Sequence, residues 1–165
     1  AITIHPRTRF QRYQGTAKWE IIKKVVENVK VPITGNGDIN SFNDAESMIK
    51  FTKCNSVMIG RAAIGNPWIF NPKYQKSSIN EKLSIITSDV SKHIEFMKDF
   101  FSYRNVDLNI KKQLLYYSKG FKNSKELRQR IFRTNEKIDV IFDFFIENLN
   151  KNFQTTESNF EKTSV

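Results

Sequence analysis

The chain has 165 residues, of which 27 are basic and 17 acidic, giving a net charge of +10. Its 39% hydrophobic and 27% charged content is that of an ordinary globular protein, and excludes collagen-like, disulfide-rich and wholly disordered classes. One cysteine rules out an internal disulfide and a Cys-only zinc cage, and no apolar run reaches the ~18 residues that a membrane helix needs.

The charge is uneven. Residues 1–75 carry 11 basic and 5 acidic side chains, net +6. Residues 111–133 carry 8 basic ones (Lys111, Lys112, Lys119, Lys122, Lys125, Arg128, Arg130, Arg133) against Glu126 alone, net +7. Residues 134–165 carry 3 basic and 6 acidic, net −3. A local positive field of this kind favours anionic partners such as nucleic acid or phosphate ligands.

Residues 1–5 read as a buried strand. Residues 18–29 read as a helix, with Trp19, Ile22, Val25 or Val26, and Val29 on one face. Residues 31–34 form a second strand, ended by Gly35-Asn36-Gly37. A helix opens at Ser41, with Asp44 three residues on as a short capping box, and its inner face is Ala45, Met48, Ile49 and Thr52. Residues 56–59 form a third strand, closed by Gly60. Short, nearly all-apolar strands alternating with helices are the pattern of parallel βαβ units covered on both faces.

Beyond Pro72 only helical periodicity remains. Leu83, Ile86, Val90, Ile94, Met97 and Phe101 form one stripe. Ile110, Leu114, Tyr117 and Phe121 form a second, stopped by Gly120. Asn123 to Glu126 is a capping box opening a helix with Leu127 and Ile131 inside. Ile138, Ile141, Phe142, Phe145 and Leu149 form the last stripe. Four amphipathic helices with short connections predict a small bundle. Residues 151–165 are polar and rich in Ser, Thr and Glu, and are expected to lack fixed structure.

Two turns carry the chemistry. Gly35-Asn36-Gly37-Asp38 and Gly60-Arg61-Ala62-Ala63 each follow a strand. Glycine there lets backbone N–H groups approach an anion closely, and Arg61 adds a fork-shaped donor suited to phosphate. The bland alternative is that the glycines only make turns. Two such turns in succession, with Asn66-Pro67 opening a short helix, fit the phosphate site formed after strands 7 and 8 of a (β/α)₈ barrel.

The same residues carry a family resemblance. Ile4-His5-Pro6-Arg7-Thr8-Arg9, then Tyr13-Gln14-Gly15, Ala17 and Trp19, resemble the sixth strand and loop of the tRNA-dihydrouridine synthases. Pro32-Ile33-Thr34-Gly35-Asn36-Gly37-Asp38-Ile39 resembles their seventh strand and cofactor turn. The run from Cys54 through Gly60-Arg61 to Asn66-Pro67-Trp68-Ile69-Phe70 resembles their eighth. Lys111-Lys112-Gln113, Tyr117-Ser118-Lys119-Gly120 and Glu126-Leu127-Arg128 resemble the start of their helical domain. The order and spacing hold over residues 1–150. Pro6 stands where the family usually has Gly, and Lys111-Lys112-Gln113 replaces a usual Arg-Lys-His.

The resemblance implies an α/β fold: the C-terminal part of a (β/α)₈ TIM barrel over residues 1–75, followed by an all-α four-helix bundle over 76–150 that binds tRNA. It implies a cytoplasmic enzyme, monomeric at full length. Bound FMN, reduced by NADPH, would reduce the C5–C6 double bond of uridine in tRNA, with no metal and no membrane. On this frame His5 lies against the flavin. Asn36, Gly37, Asp38, Gly60 and Arg61 hold its phosphate. Arg7 and Arg9, in a ligand-face loop, could contact tRNA phosphate, the flavin or only water, and Lys111, Lys112, Lys119 and Arg128 read as RNA contacts, the alternative being a merely solvated basic face. The resemblance also implies that the family's catalytic general-acid cysteine falls upstream of residue 1; Cys54 sits at the wrong end of its strand for that role. A typical barrel needs about 250 residues, so this piece is expected to be inactive alone, with an exposed sheet edge beside residues 1–5.

Other readings stay open on the residues alone. The glycine turns would also suit a flavin barrel acting on a small metabolite, which would not need the basic helices. The basic helices would also suit an RNA-binding module without catalysis. Cys54 reads as structural and His93 as a surface residue.

Overall fold

The computed structural model describes residues 1–12, 14–100, 106–121 and 124–162, with side chains described up to residue 154. Phe101, Lys122 and Asn123, which figure in the stripe, the basic cluster and the capping box above, lie outside the described residues. The chain divides into two compact units, the first from Ala1 to Gln75 and the second from Lys76 onward.

The first unit is a parallel three-stranded sheet in the order β1–β2–β3, comprising β1 (Ile2–Ile4), β2 (Ile33–Asn36) and β3 (Ser56–Met58). Ile2 pairs with Ile33, and Gly35 lies between Ile4 and Val57 in register. The crossovers are α1 (Trp19–Asn28) and α2 (Phe42–Thr52), as parallel neighbours require. Ile22, Ile33, Ile39, Ala45, Met48 and Cys54 form the core between sheet and helices.

Burial is uneven across the sheet. Ile33 and Gly35 of β2 are buried, but Ile2 of β1 and Met58 of β3 are about half exposed. The expectation of three strands covered on both faces is corrected: in β2 only the face of Ile33 and Gly35 is buried, Thr34 and Asn36 on the other face are half-buried, and β1 and β3 are largely exposed. Ile49 and Val29 also lie outside the core, each about two-fifths exposed.

Local signals set the ends of α2. The Ser41 hydroxyl accepts from the Asp44 N–H at 3.1 Å, and the Asp44 carboxylate accepts from the Asn40 N–H at 2.9 Å. Two otherwise orphaned donors are thus satisfied. Lys53 ends the helix in the left-handed region at φ 60°, donating its N–H to the Ile49 carbonyl at 2.9 Å. After β3 the chain makes two 3₁₀ turns, Arg61–Ala63 and Pro67–Phe70, and a short helix, α3 (Pro72–Lys76).

The second unit is helical: α4 (Ile79–Phe100), α5 (Val106–Tyr117), α6 (Ser124–Arg133) and α7 (Ile138–Lys162). Helix α4 packs on α5 and α7, and α5 packs on α6 and α7. The buried positions are Ile86, Val90, Ile94 and Met97, Ile110 and Leu114, Leu127 and Ile131, then Ile141, Phe145 and Leu149, so the stripes face inward at 3–4 spacing. Gly120 takes φ +91° beyond α5.

Two readings are corrected here. Helix α7 runs on to Lys162, where the polar composition beyond residue 150 suggested no fixed structure. Helix extension adds one hydrogen bond per residue and needs no apolar stripe once nucleated. The Asn148 and Asn152 amides also donate to the carbonyls four residues back, each at 2.8 Å. His93 is half-buried, and its Nδ1 lies 2.8 Å from the Tyr117 hydroxyl, joining α4 to α5.

Candidate functional site

The C-terminal ends of the three strands converge on one cleft of about 290 Å³. It is lined by His5, Asn36, Gly37, Asp38, Gly60 and Arg61, together with Ile39, Asn40, Met58 and Ala62. The six residues first singled out by glycine turns and resemblance are thus brought together. In parallel α/β proteins this strand end is where ligands bind, because the loops there diverge and vary independently of the sheet.

The turn after β2 has a backbone that few residues tolerate. Gly37 takes φ +123° and Asp38 follows in the left-handed region at φ 54°. A methyl group on Gly37 would lie 2.7 Å from Ala17 Cβ and 3.1 Å from His5 Nδ1. Gly37 therefore permits two things, a left-handed bend and the close seating of the His5 ring. The Trp19 indole donates to the Gly37 carbonyl at 3.0 Å, and Asn36 donates its amide N–H to the Met58 carbonyl at 2.6 Å. The turn is thus anchored by the start of α1 and the end of β3. A side chain at Gly60, by contrast, would meet open space.

Asp38 is the one carboxylate lining the cleft, and it is paired with Arg7. Arg7 Nη2 lies 2.8 and 2.7 Å from the two Asp38 oxygens and donates to the Gly15 carbonyl at 2.6 Å. The Ala17 N–H donates to Asp38 Oδ2 at 2.6 Å. Burial pushes the Asp38 carboxyl up, but the Ala17 hydrogen bond, the Arg7 bond and charge, and the Arg61 charge outweigh it. The group is held below its ordinary value of 3.8. Arg7 Nε and Nη1 are buried without a hydrogen-bond partner among the described residues.

Arg7 was a candidate RNA contact, with flavin and water as its alternatives. That reading is corrected: its side chain is 3% exposed and is spent on Asp38. Arg9 is exposed. In the helical unit Lys112, Lys119 and Arg128 are exposed, while Lys111 donates to the Thr134 carbonyl at 2.7 Å. The aromatic side chains interleaved with this cluster mostly serve packing, since Tyr117 meets His93 and Phe121 stacks on Phe145 with ring centroids 6.0 Å apart. Tyr116 is 47% exposed.

Cys54 is buried, and its Sγ donates to the Ser56 carbonyl at 3.2 Å. It precedes β3, at the opposite strand end from the cleft. Among the described residues no group of three or more His, Cys, Asp or Glu side chains could hold a metal ion, and no helix is long and apolar enough to cross a membrane.

The sequence reasoning missed Met58 and Asn40 as lining residues. Met58 carries no chemical signal; only its place at the end of β3 marks it.

Parallel strands, paired glycine turns and a cleft at the strands' C-terminal ends define an α/β unit with an arginine-bearing loop beside the cleft. Comparison with known proteins sharpens this. The sequence model described as Dihydrouridine synthase (Dus) matches residues 1–157. A probable tRNA-dihydrouridine synthase of Aquifex aeolicus (strain VF5) is 38% identical over 130 residues, covering 79% of this chain and 41% of the relative. One from Rickettsia bellii (strain RML369-C) is 33% identical over 158 residues, covering 91% and 48%. The tRNA-dihydrouridine synthase B of Pasteurella multocida (strain Pm70) is 30% identical over 171 residues, covering 94% and 50%. The chain belongs to the dihydrouridine synthase family. It spans about half the length, or somewhat less, of these relatives.

Proposed function

We propose that this chain supplies the cofactor-phosphate end and the RNA-binding helices of a flavin-dependent tRNA-dihydrouridine synthase. One observation carries the reading: His5, Asn36, Gly37, Asp38, Gly60 and Arg61 line a single cleft at the ends of parallel strands. The three strands are read as part of a (β/α)₈ barrel, and α4–α7 as a four-helix bundle that binds tRNA.

The residues present suit the phosphate of FMN. The left-handed turn at Gly37 and Asp38 and the open face of Gly60 let backbone N–H groups reach an anion, and Arg61 supplies the matching charge. The Arg7 pairing cancels the one carboxylate that would oppose binding. His5, seated against Gly37, is positioned to meet the flavin ring and to stabilise negative charge on it. When bound, FMN recharged by NADPH supplies the hydride that reduces the C5–C6 double bond of a uridine. Cys54 is buried at the far strand end, so on this reading it is not the acid that protonates the other carbon.

Arg9, Lys112, Lys119 and Arg128, all exposed, are the proposed phosphate contacts to tRNA. Such an enzyme works in the cytoplasm, where its substrate is.

The test is dihydrouridine formation on unmodified tRNA with NADPH, using the whole protein and this 165-residue chain side by side. Flavin content and turnover are expected for the whole protein, with no turnover by this chain alone. A whole protein that binds FMN but neither binds nor modifies tRNA would overturn the reading in favour of a small substrate.

A further inference from the structure

The loop from β1 to α1 presents an aromatic side chain that no packing explains. Phe10 is 96% exposed, the most exposed of the large hydrophobic residues described. The loop is nevertheless built firmly around it. The Thr8 N–H donates to Gln11 Oε1 at 2.9 Å, the Gln11 N–H lies 3.3 Å from Thr8 Oγ1 and 3.1 Å from the Thr8 carbonyl, and the Gln14 N–H donates to the Gln11 carbonyl at 2.8 Å. The base of the loop is closed by Arg7, whose Nη2 bonds both the Gly15 carbonyl and Asp38. Ordering an exposed Phe on a hydrogen-bonded turn costs free energy with no burial in return.

The charge around Phe10 says what it would meet. Arg9 and Arg12 flank it and are exposed, and residues 1–19 contain no Asp or Glu. The next most exposed Phe side chains differ: Phe100 (82%) follows Asp99 and Phe96 (69%) follows Glu95 on α4. An exposed aromatic ring that shares one cleft with two arginines suits an unpaired nucleotide, whose base stacks on the ring while its phosphates meet the arginines. The loop also leaves β1 next to His5, at the strand end that carries the cleft.

We propose that Phe10, flanked by Arg9 and Arg12, is a stacking platform for an unpaired base of the RNA substrate. The inference rests on the tRNA reading above. It adds a base contact, where that reading has only phosphate contacts.

The experiment measures affinity of the whole protein for unmodified tRNA and for a fully paired RNA duplex, with FMN binding as a control. Phe10→Ala is expected to weaken tRNA binding about tenfold. It should leave FMN affinity, the salt dependence and duplex binding unchanged, because stacking releases no counterions and a paired base is not available. Phe10→Tyr should bind tRNA like the wild type. Arg9→Ala and Arg12→Ala should weaken binding and flatten its salt dependence. A Phe10→Ala affinity for tRNA within twofold of wild type overturns the inference while leaving the tRNA reading standing, and so does an equal loss on tRNA and duplex. A wild-type protein with no affinity for tRNA overturns both.

Discussion

The guanidinium of Arg7 in the β1–α1 loop meets the carboxylate of Asp38 in the turn after β2, with one nitrogen within 2.8 Å of both oxygens. This pairing joins two loops 31 residues apart and fixes the turn that forms one wall of the cleft. Arg7 is almost wholly buried, so removing its partner leaves an uncompensated charge. Asp38→Asn is expected to destabilise the fold by about 3 kcal/mol at neutral pH, measured by urea unfolding.

That effect depends on pH with a defined sign. The folded carboxyl lies below its ordinary value of 3.8. Its stabilisation is therefore fully present above that value and is lost as pH falls through the lower folded one. The stability difference between wild type and Asp38→Asn should shrink on acidification and vanish once Asp38 is protonated. A difference unchanged into strong acid would show that the pairing is not its source.

Gly37→Ala tests the turn. The new methyl would meet Ala17 and His5 in a backbone already at φ +123°. Strain of about 1–3 kcal/mol is expected, together with displacement of the His5 ring. Thermal unfolding and FMN affinity should both fall. The same change at Gly60, where the added carbon meets open space, should leave stability nearly untouched.

How much of this was readable beforehand follows from the range of each signal. The glycine turns and βα rhythm are local signals, and the residues that they and the family resemblance singled out, His5, Asn36, Gly37, Asp38, Gly60 and Arg61, lie together in one cleft. The inward turn of Arg7 was not readable, because its cause is a carboxylate 31 residues away. His93 was misjudged for a similar reason: flanking charges suggested a surface site, while its partner Tyr117 stands on another helix. Composition misjudged the end of α7, since it reports apolar burial and not helix propagation.

The basic helices make a quantitative prediction. Lys112, Lys119 and Arg128 are exposed. Replacing all three with Ala in the whole protein should weaken tRNA binding and lower the slope of log affinity against log salt by about 2–3. FMN binding should not change. An unaltered slope would mean that these side chains do not touch the RNA backbone.

The most direct measurement compares FMN with riboflavin, which lacks the phosphate, for binding to the whole protein and to its Arg61→Ala variant. FMN should bind the wild type far more tightly than riboflavin. The variant should lose about 2 kcal/mol of FMN affinity, roughly thirtyfold, with little change for riboflavin. Equal affinity of the wild type for both flavins would contradict the assignment of this cleft to the cofactor phosphate.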